Sequence, residues 1–355
     1  MSENSKIEWT DASWNVTAGC TAVSSGCAHC YAASMTRRLQ AIGIAGYADL
    51  TNDRHFNGTV RCLPQKLGIP LRWKKPRRIF VNSMSDLFHK DVPFEFIDKV
   101  FAVMSMSEHT FQILTKRPER AADYFSDPIA RQAAWAYQAI KTLNREDDGQ
   151  LPCFPLPNVW IGTSIENQAA ADKRIPELFK IPAKLLFVSN EPSLGPVDWQ
   201  KWYPHPIHGK CRPMEQIGWF ICGGESGPHA RPMHPDWPND LRDQCASAGI
   251  PFFFKQWGEW EPMVNADCYA DFICDESEDG DVANMTKNVA ILWPDGTCER
   301  TEPKREWWHV WRQSNWEKIE SMGDSVPVAM HRVGKAVAGR EFQGREYNEF
   351  PEVSR

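Results

Sequence analysis

The chain has 355 residues, 42% hydrophobic and 12% aromatic, enough for one large α/β domain with an appendage or for two ordinary domains. Its formal net charge of −6 removes any overall attraction for nucleic acid, so such binding has to use a local patch. Eleven cysteines, an odd number at low density, exclude a small disulfide scaffold and point to a reducing compartment; with no signal-peptide core and no apolar run of membrane-spanning length, the expected location is cytoplasmic, with no membrane partner.

Short apolar runs alternate with helical patterns along most of the chain, as in a parallel sheet. The first candidate strand, Trp14–Thr17, leads into a cysteine loop and a helix over Tyr31–Gln40. Gly43–Leu71 has polar turns and little periodicity and reads as an elaborated connection. Strand Arg78–Asn82 precedes a helix over Phe94–Met106 with Pro93 at its first turn. Strand Thr110–Leu114 is followed by an alanine-rich helix that opens at Asp127-Pro128 and runs toward Leu143. After a surface loop over Asp147–Pro157 come strand Asn158–Gly162, helix Glu166–Leu178 and strand Lys184–Val188. A second loop, Trp199–Glu215, leads to strand Gly218–Cys222, helix Asp236–Ala248 with Gly249 as its C-cap, and strand Pro251–Phe254. Several of these runs lack alternation, as expected for strands covered on both faces. The predicted fold over residues 1–258 is a full or partial (β/α) barrel, the alternative being an open doubly wound sheet. Beyond Gly258 the rhythm fades into a Trp-rich extension over 259–355, expected to pack on the barrel. It contains an acidic stretch Asp275–Asp281, an aromatic segment Glu306–Trp316 and a basic, glycine-punctuated stretch Arg332–Arg340.

The strongest local signal is Cys20-x6-Cys27-x2-Cys30. Thiolates are soft ligands that suit iron–sulfur clusters, zinc or copper(I). A four-iron cluster is usually held by four cysteines, so three leave one iron open to a substrate or cofactor. Structural zinc with a distant fourth ligand and free thiols in a core are the other readings of the same residues. Cys268, Cys274 and Cys298 are too widely spaced to suggest a second cluster.

Active sites of parallel α/β barrels lie at the carboxyl ends of the strands. There the sequence places Asn82, Ser83, Ser85 and Asp86; Thr115, Lys116 and Arg117; Thr163, Ser164, Glu166 and Asn167; and Ser189, Asn190 and Glu191. Gly223, Gly224, Glu225 and Ser226, then Lys255 and Gln256, follow the last two runs. No hydrolase nucleophile elbow and no phosphate-binding P-loop is present. The densest basic run, Arg72, Trp73, Lys74, Lys75, Arg77 and Arg78, is a candidate nucleic-acid contact in which the cations meet phosphates and the indole stacks on a base. Arg37, Arg38, Lys116, Arg117 and Arg120 would extend it if the fold gathered them.

Lys6-Ile-Glu-Trp-Thr-Asp11, Gly19-Cys20-Thr21 and Gly26-Cys27-Ala-His-Cys30-Tyr31 resemble a phage-borne family of unknown function with a three-cysteine motif, regarded as radical S-adenosylmethionine (SAM)-like. The resemblance continues through Phe80–Phe88, Leu114–Arg120, Trp160–Asn167, Gly223–Pro228, Ala230–Met233 and Phe253–Gly258. The usual radical-SAM loop is C-x3-C-x2-C; here the first gap is three residues longer. The resemblance implies that Cys20, Cys27 and Cys30 hold a [4Fe-4S] cluster whose open iron binds SAM, fed by an electron donor such as a flavodoxin or ferredoxin. By position, Ser83 and Asp86 are the candidates for the SAM amino group, Ser164, Glu166 and Glu191 for the ribose, and Lys116 for a carboxylate or phosphate. Glu225 joins this cofactor-binding set, although Gly-Gly-Glu in the superfamily often follows the second strand and in this chain follows the sixth. The expected activity is generation of a 5′-deoxyadenosyl radical acting on a nucleotide or nucleic-acid base, in modification or lesion repair. A base in duplex DNA would have to be flipped out. The alternative is a metal-binding nucleic-acid-binding or redox-sensing protein without turnover.

Overall fold

The computed structural model describes residues 5–202, 217–263, 289–300, 315–321 and 326–352. In chain order the first strands are β1 (Ala12–Trp14), β2 (Thr17–Ala18), β3 (Thr51–Asn52), β4 (His55–Phe56), β5 (Arg61–Cys62) and β6 (Arg78–Val81). They continue as β7 (Thr110–Thr115), β8 (Val159–Ser164), β9 (Leu185–Asn190), β10 (Ile217–Gly223) and β11 (Phe252–Gln256). The principal helices are α1 (Tyr31–Ala41), α2 (Phe94–Ser105), α3 (Pro118–Tyr124), α4 (Pro128–Leu143), α5 (Gln168–Leu178) and α6 (Asp236–Ala248).

Seven strands form one parallel sheet in the order β1-β6-β7-β8-β9-β10-β11. Each strand is added on the same side of its predecessor, so right-handed crossovers stack the helices on one face. A doubly wound sheet would reverse its order part-way, and this one does not. The first and last strands are not paired with each other, so the barrel is partial. Strand alternation divides two apolar cores. Ile161, Val188, Phe220, Cys222 and Phe254 face outward and pack with α2, α5 and α6. Phe80, Trp160, Phe187, Trp219 and Phe253 face inward around Trp9. This two-sided burial is why the runs showed no alternation of polarity.

The predicted run Trp14–Thr17 divides into β1 and β2 because the Asn82 side chain accepts from Val16 N (2.9 Å) and Thr17 N (3.2 Å). The chain therefore leaves the sheet after Trp14. Short α3, with Pro118 in its first turn, was too brief to show periodicity.

The end of the chain covers the free edge of β11. Phe254 N donates to Tyr347 O (3.0 Å), Phe253 bridges Asn348 antiparallel, and Trp219 Nε1 donates to Glu349 O (2.9 Å). Phe350 joins Trp9 against the inner aromatic core. Covering an edge strand removes a template for pairing with another chain. A second, antiparallel sheet, which the sequence did not suggest, has the order β12-β15-β13-β14, from β12 (Trp260–Pro262), β13 (Val289–Leu292), β14 (Cys298–Arg300) and β15 (Val328–Arg332). Trp260 Nε1 donates to Ala230 O (2.8 Å) and Trp237 Nε1 to Pro294 O (2.9 Å), tying these strands to the parallel-sheet region. The acidic stretch 275–281, Cys268, Cys274 and most of the aromatic segment 306–316 lie outside the described residues.

Candidate metal centre

The cysteine loop crosses the carboxyl end of the sheet, and its path is set by backbone geometry. Gly19 has φ +89°, and a Cβ there would come within 2.0 Å of Thr59 O, so the turn into Cys20 requires glycine. Thr17 Oγ1 and Ser85 Oγ lie 2.7 Å apart, fixing this approach to the residues after β6. Cys27 ends a 3-10 turn, Ser25–Cys27, and Cys30 is the N-cap residue of α1. All three cysteines are half-buried free thiols.

Two cations from the turn after β7 meet these thiols. Arg117 Nη1 donates to Cys20 Sγ (3.7 Å) and to Asp86 Oδ2 (2.8 Å), while its Nη2 donates to Thr21 O (2.9 Å) and Thr21 Oγ1 (2.8 Å). His89 Nδ1 accepts from Asp91 N, which assigns the ring proton to Nε2 for donation to Thr21 Oγ1 (2.9 Å). Burial, reinforced by the Asp86 charge, pushes the Cys20 thiol up to about 11. Burial also works to raise Cys27, but the Lys116 ammonium and hydrogen bonds from Val23 and Ser24 hold it below the usual thiol value. Cys30 is raised by burial, partly offset by the amides of Ala33 and Ala32.

Two buried carboxylates brace the loop from opposite sides. The Glu166 side chain is 0% exposed and binds Lys116, Arg174 Nη1 (2.8 Å) and Ser24 Oγ (2.7 Å). Burial would raise its pKa, but Lys116 and Arg174 outweigh that and keep it low. A Cβ on Gly26 would lie 2.6 Å from Glu166 Cγ and Oε1, so the loop rests directly on this pair. Across the sheet, Glu225 accepts from His29 Nδ1 (2.9 Å) and Arg231 Nη2 (2.6 Å), and Arg231 also donates to Ser25 O (2.9 Å). Burial again opposes ionisation of Glu225, and the Arg231 and His29 hydrogen bonds overcome it.

The expected site residues have protein partners on this rim. Asp86 accepts from Thr115 Oγ1, Lys116 N, Arg117 Nη1 and Phe88 N. It orients Arg117. Glu166 and Glu225 are likewise committed to the loop, and Lys116 to Glu166. Ser164 is buried, its carbonyl accepting from Arg174 Nη1 (2.7 Å). Ser83 Oγ donates to Asn15 Oδ1 (3.2 Å), and its carbonyl accepts from the Tyr31 hydroxyl. Glu191, with a side chain 13% exposed, pairs with Lys255 Nζ (2.8 Å) at the same carboxyl end. Cys222 is buried in the outer core and donates to Asn190 Oδ1 (3.5 Å).

The basic run lies at the other end of the sheet. Arg78 begins β6, pairs with Asp11 (3.2 Å) and stacks 4.0 Å from the Phe350 ring centroid. Trp73 packs against the outer core, 5.8 Å from the His109 ring and under the Arg77 guanidinium. Its indole is therefore occupied, and Arg72, Lys74, Lys75 and Arg77 precede the amino end of a strand whose carboxyl end carries the site. Nor do Arg117 and Arg120 join them: Arg117 is buried against Asp86, and Arg120 Nη2 donates to Val92 O (2.7 Å). Sequence reasoning passed over Ser24, His29, Arg174 and Arg231 as loop braces. Of these, His29 lay inside the family-like Gly26–Tyr31 block and Arg231 inside Ala230–Met233.

Fold and site define a partial (β/α) barrel with a three-thiol loop braced across its carboxyl rim. Among the described residues no group of three His, Cys, Asp or Glu side chains converges as ligands of one metal ion. The chain belongs to the family described as protein of unknown function (DUF5131), which it matches over residues 4–351. No curated protein matches it. Two solved structures of spore photoproduct lyase align at 12% identity. A cysteine-to-serine mutant covers 89% of this chain and 75% of its own, with a TM-score of 0.35. A complex with dinucleoside spore photoproduct covers 87% and 73%, with a TM-score of 0.33.

Proposed function

We propose that the protein is a radical SAM enzyme acting on a nucleotide or a nucleic-acid base. The observation that carries this reading is the placement of Cys20, Cys27 and Cys30, the three thiols of one short loop, on the carboxyl rim, facing Lys116 and Arg117. The donor set fits an iron–sulfur cluster: all ligands are soft, the two cations offset thiolate charge, and one iron is left without a protein ligand. A cluster gives each thiolate its own iron, so its ligands need not converge on a single point as zinc ligands do. Cys20, Cys27 and Cys30 would hold a [4Fe-4S] cluster, which when bound would supply one-electron reductive cleavage of SAM to methionine and a 5′-deoxyadenosyl radical able to take hydrogen from an unactivated carbon.

The chain's own residues bind, orient and shield. Arg117 holds Cys20 in place and is itself oriented by Asp86 and Thr21. Glu166 and Glu225 keep the loop seated on the strands. Ser83 and the Glu191–Lys255 pair lie on the same rim as candidates to contact SAM, and the inner aromatic core packs the barrel interior. An electron donor such as a flavodoxin or ferredoxin completes the system. Anaerobic reconstitution with iron and sulfide, then SAM and dithionite, should yield about four irons per chain and 5′-deoxyadenosine. One zinc without sulfide would replace this reading with a structural metal site; a cluster that binds SAM without cleaving it would replace it with a sensor.

A further inference from the structure

Beside the cysteine loop the fold assembles a cationic rim from four segments distant in sequence. His29 comes from the loop, Arg54 from the turn between β3 and β4, His229 and Arg231 from the segment after β10, and Arg332 from the end of β15. The contacts are continuous. The His29 and His229 rings lie 5.9 Å apart, and the Arg54 guanidinium contacts His229 Nε2. Arg332 Nη2 donates to Gly227 O (3.1 Å) and Pro228 O (2.8 Å), the residues just before His229. Of the acids here, Glu225 pairs with Arg231 and His29, and Glu259 Oε1 accepts from Gly227 N (2.9 Å). Among the described residues Arg54 and Arg332 are thus held by an imidazole and by carbonyls, with no ion pair to a carboxylate. Arg54 and His229 are exposed, and Arg332 is half-buried. In a chain of net charge −6 such a rim is a local positive field at the mouth of the site.

We propose that Arg54 and Arg332, with His29 and His229 between them, form a phosphate-binding rim that seats a phosphodiester of the substrate beside the cysteine loop. This deepens the nucleotide or nucleic-acid reading above and rests on it. A guanidinium presents a fork of donors that matches phosphate oxygens, and its charge persists at every working pH. The elaborated connection Gly43–Leu71 thereby gains a role, since it delivers Arg54 to the rim.

The test is fluorescence anisotropy, without SAM or reductant, using a labelled single strand, a duplex and a free dinucleotide at two salt concentrations. The variants are Arg54→Glu, Arg54→Ala/Arg332→Ala and, from the opposite end of the sheet, Lys74→Ala/Lys75→Ala. The double rim variant should bind about ten-fold more weakly, with a salt slope reduced by about 1–2. Lys74→Ala/Lys75→Ala should bind like wild type. Because Arg332 also caps two carbonyls, Arg54→Glu on its exposed turn must weaken binding by itself. Strand binding tighter than dinucleotide binding assigns the rim to a polynucleotide; equal binding assigns it to a free nucleotide. Wild-type protein that binds none of the three probes, rim variants that bind normally, or loss confined to the Lys74/Lys75 variant would overturn the proposal. Binding without 5′-deoxyadenosine formation would leave the rim standing and remove the enzyme reading instead.

Discussion

Arg117 shows how much one side chain does in this site. Its guanidinium is charge-paired with Asp86, hydrogen-bonded to Thr21 and pointed at Cys20, with only 9% of the side chain exposed. Replacing it with Met leaves the Asp86 carboxylate buried without its cation, which typically costs about 3–5 kcal/mol. Thermal melts of apo Arg117→Met should record that loss. Arg117→Lys keeps a charge but not the fork, so it should recover part of the stability yet, if the proposed cluster is reconstituted, alter its redox potential, since hydrogen bonds to sulfur set that potential. An unchanged potential in reconstituted Arg117→Lys would remove Arg117 from the surroundings of the proposed cluster. Gly26→Ala tests the loop from the other side. Its new Cβ would meet Glu166 and Lys116 Nζ, the latter at 2.8 Å, and overpacking of this kind costs about 1–3 kcal/mol. Lower iron retention than wild type after identical reconstitution is the expected result.

At the scale of elements, the cysteine loop is clamped between the turn after β8 and the segment after β10. Glu166→Gln keeps the shape but leaves Lys116 and Arg174 facing a neutral amide, so a loss of about 3–5 kcal/mol is expected in chemical denaturation. The same residue gives a pH signature. Its carboxyl is depressed in the folded state relative to the ordinary value of 4.5, so its contribution is complete above that pH. That contribution is lost as the pH falls through the depressed value. The stability gap between wild type and Glu166→Gln should therefore be constant near neutrality and narrow below pH 4.5. A gap that stays constant into acid would mean that the charge is not what holds the loop.

For the whole molecule, both chain ends finish the barrel. Trp9 and Phe350 meet the inner aromatic core, and residues 347–349 cover the edge of β11. A chain ending at residue 338 would expose that edge and uncover Trp219 and Phe253. It should melt at lower temperature and aggregate, as expected for an unprotected edge strand. Light scattering during refolding measures this; a truncated chain that stays monodisperse would show that the tail is dispensable.

What the sequence determined by itself was local. Seven apolar runs became seven parallel strands, because β-branched and aromatic residues covered on both faces leave a readable signature. The helix boundaries at Pro128 and Gly249 followed from proline and glycine chemistry. The three thiols were legible because their spacing lies within one loop. Tertiary structure alone decided which charges meet. The run from Arg72 to Arg78 stood out in sequence because its cations are consecutive, yet the strand it precedes carries the site at its far end. Asp86, Glu166 and Glu225 stand on the rim where the order of strands puts them, but the protein donors that surround each were fixed only by folding. Arg54 and Arg332, separated by most of the chain, came to contact the same segment, Gly227–His229. Electrostatic partnership depends on distance through space, and sequence encodes that distance only after every crossover in the sheet has been made.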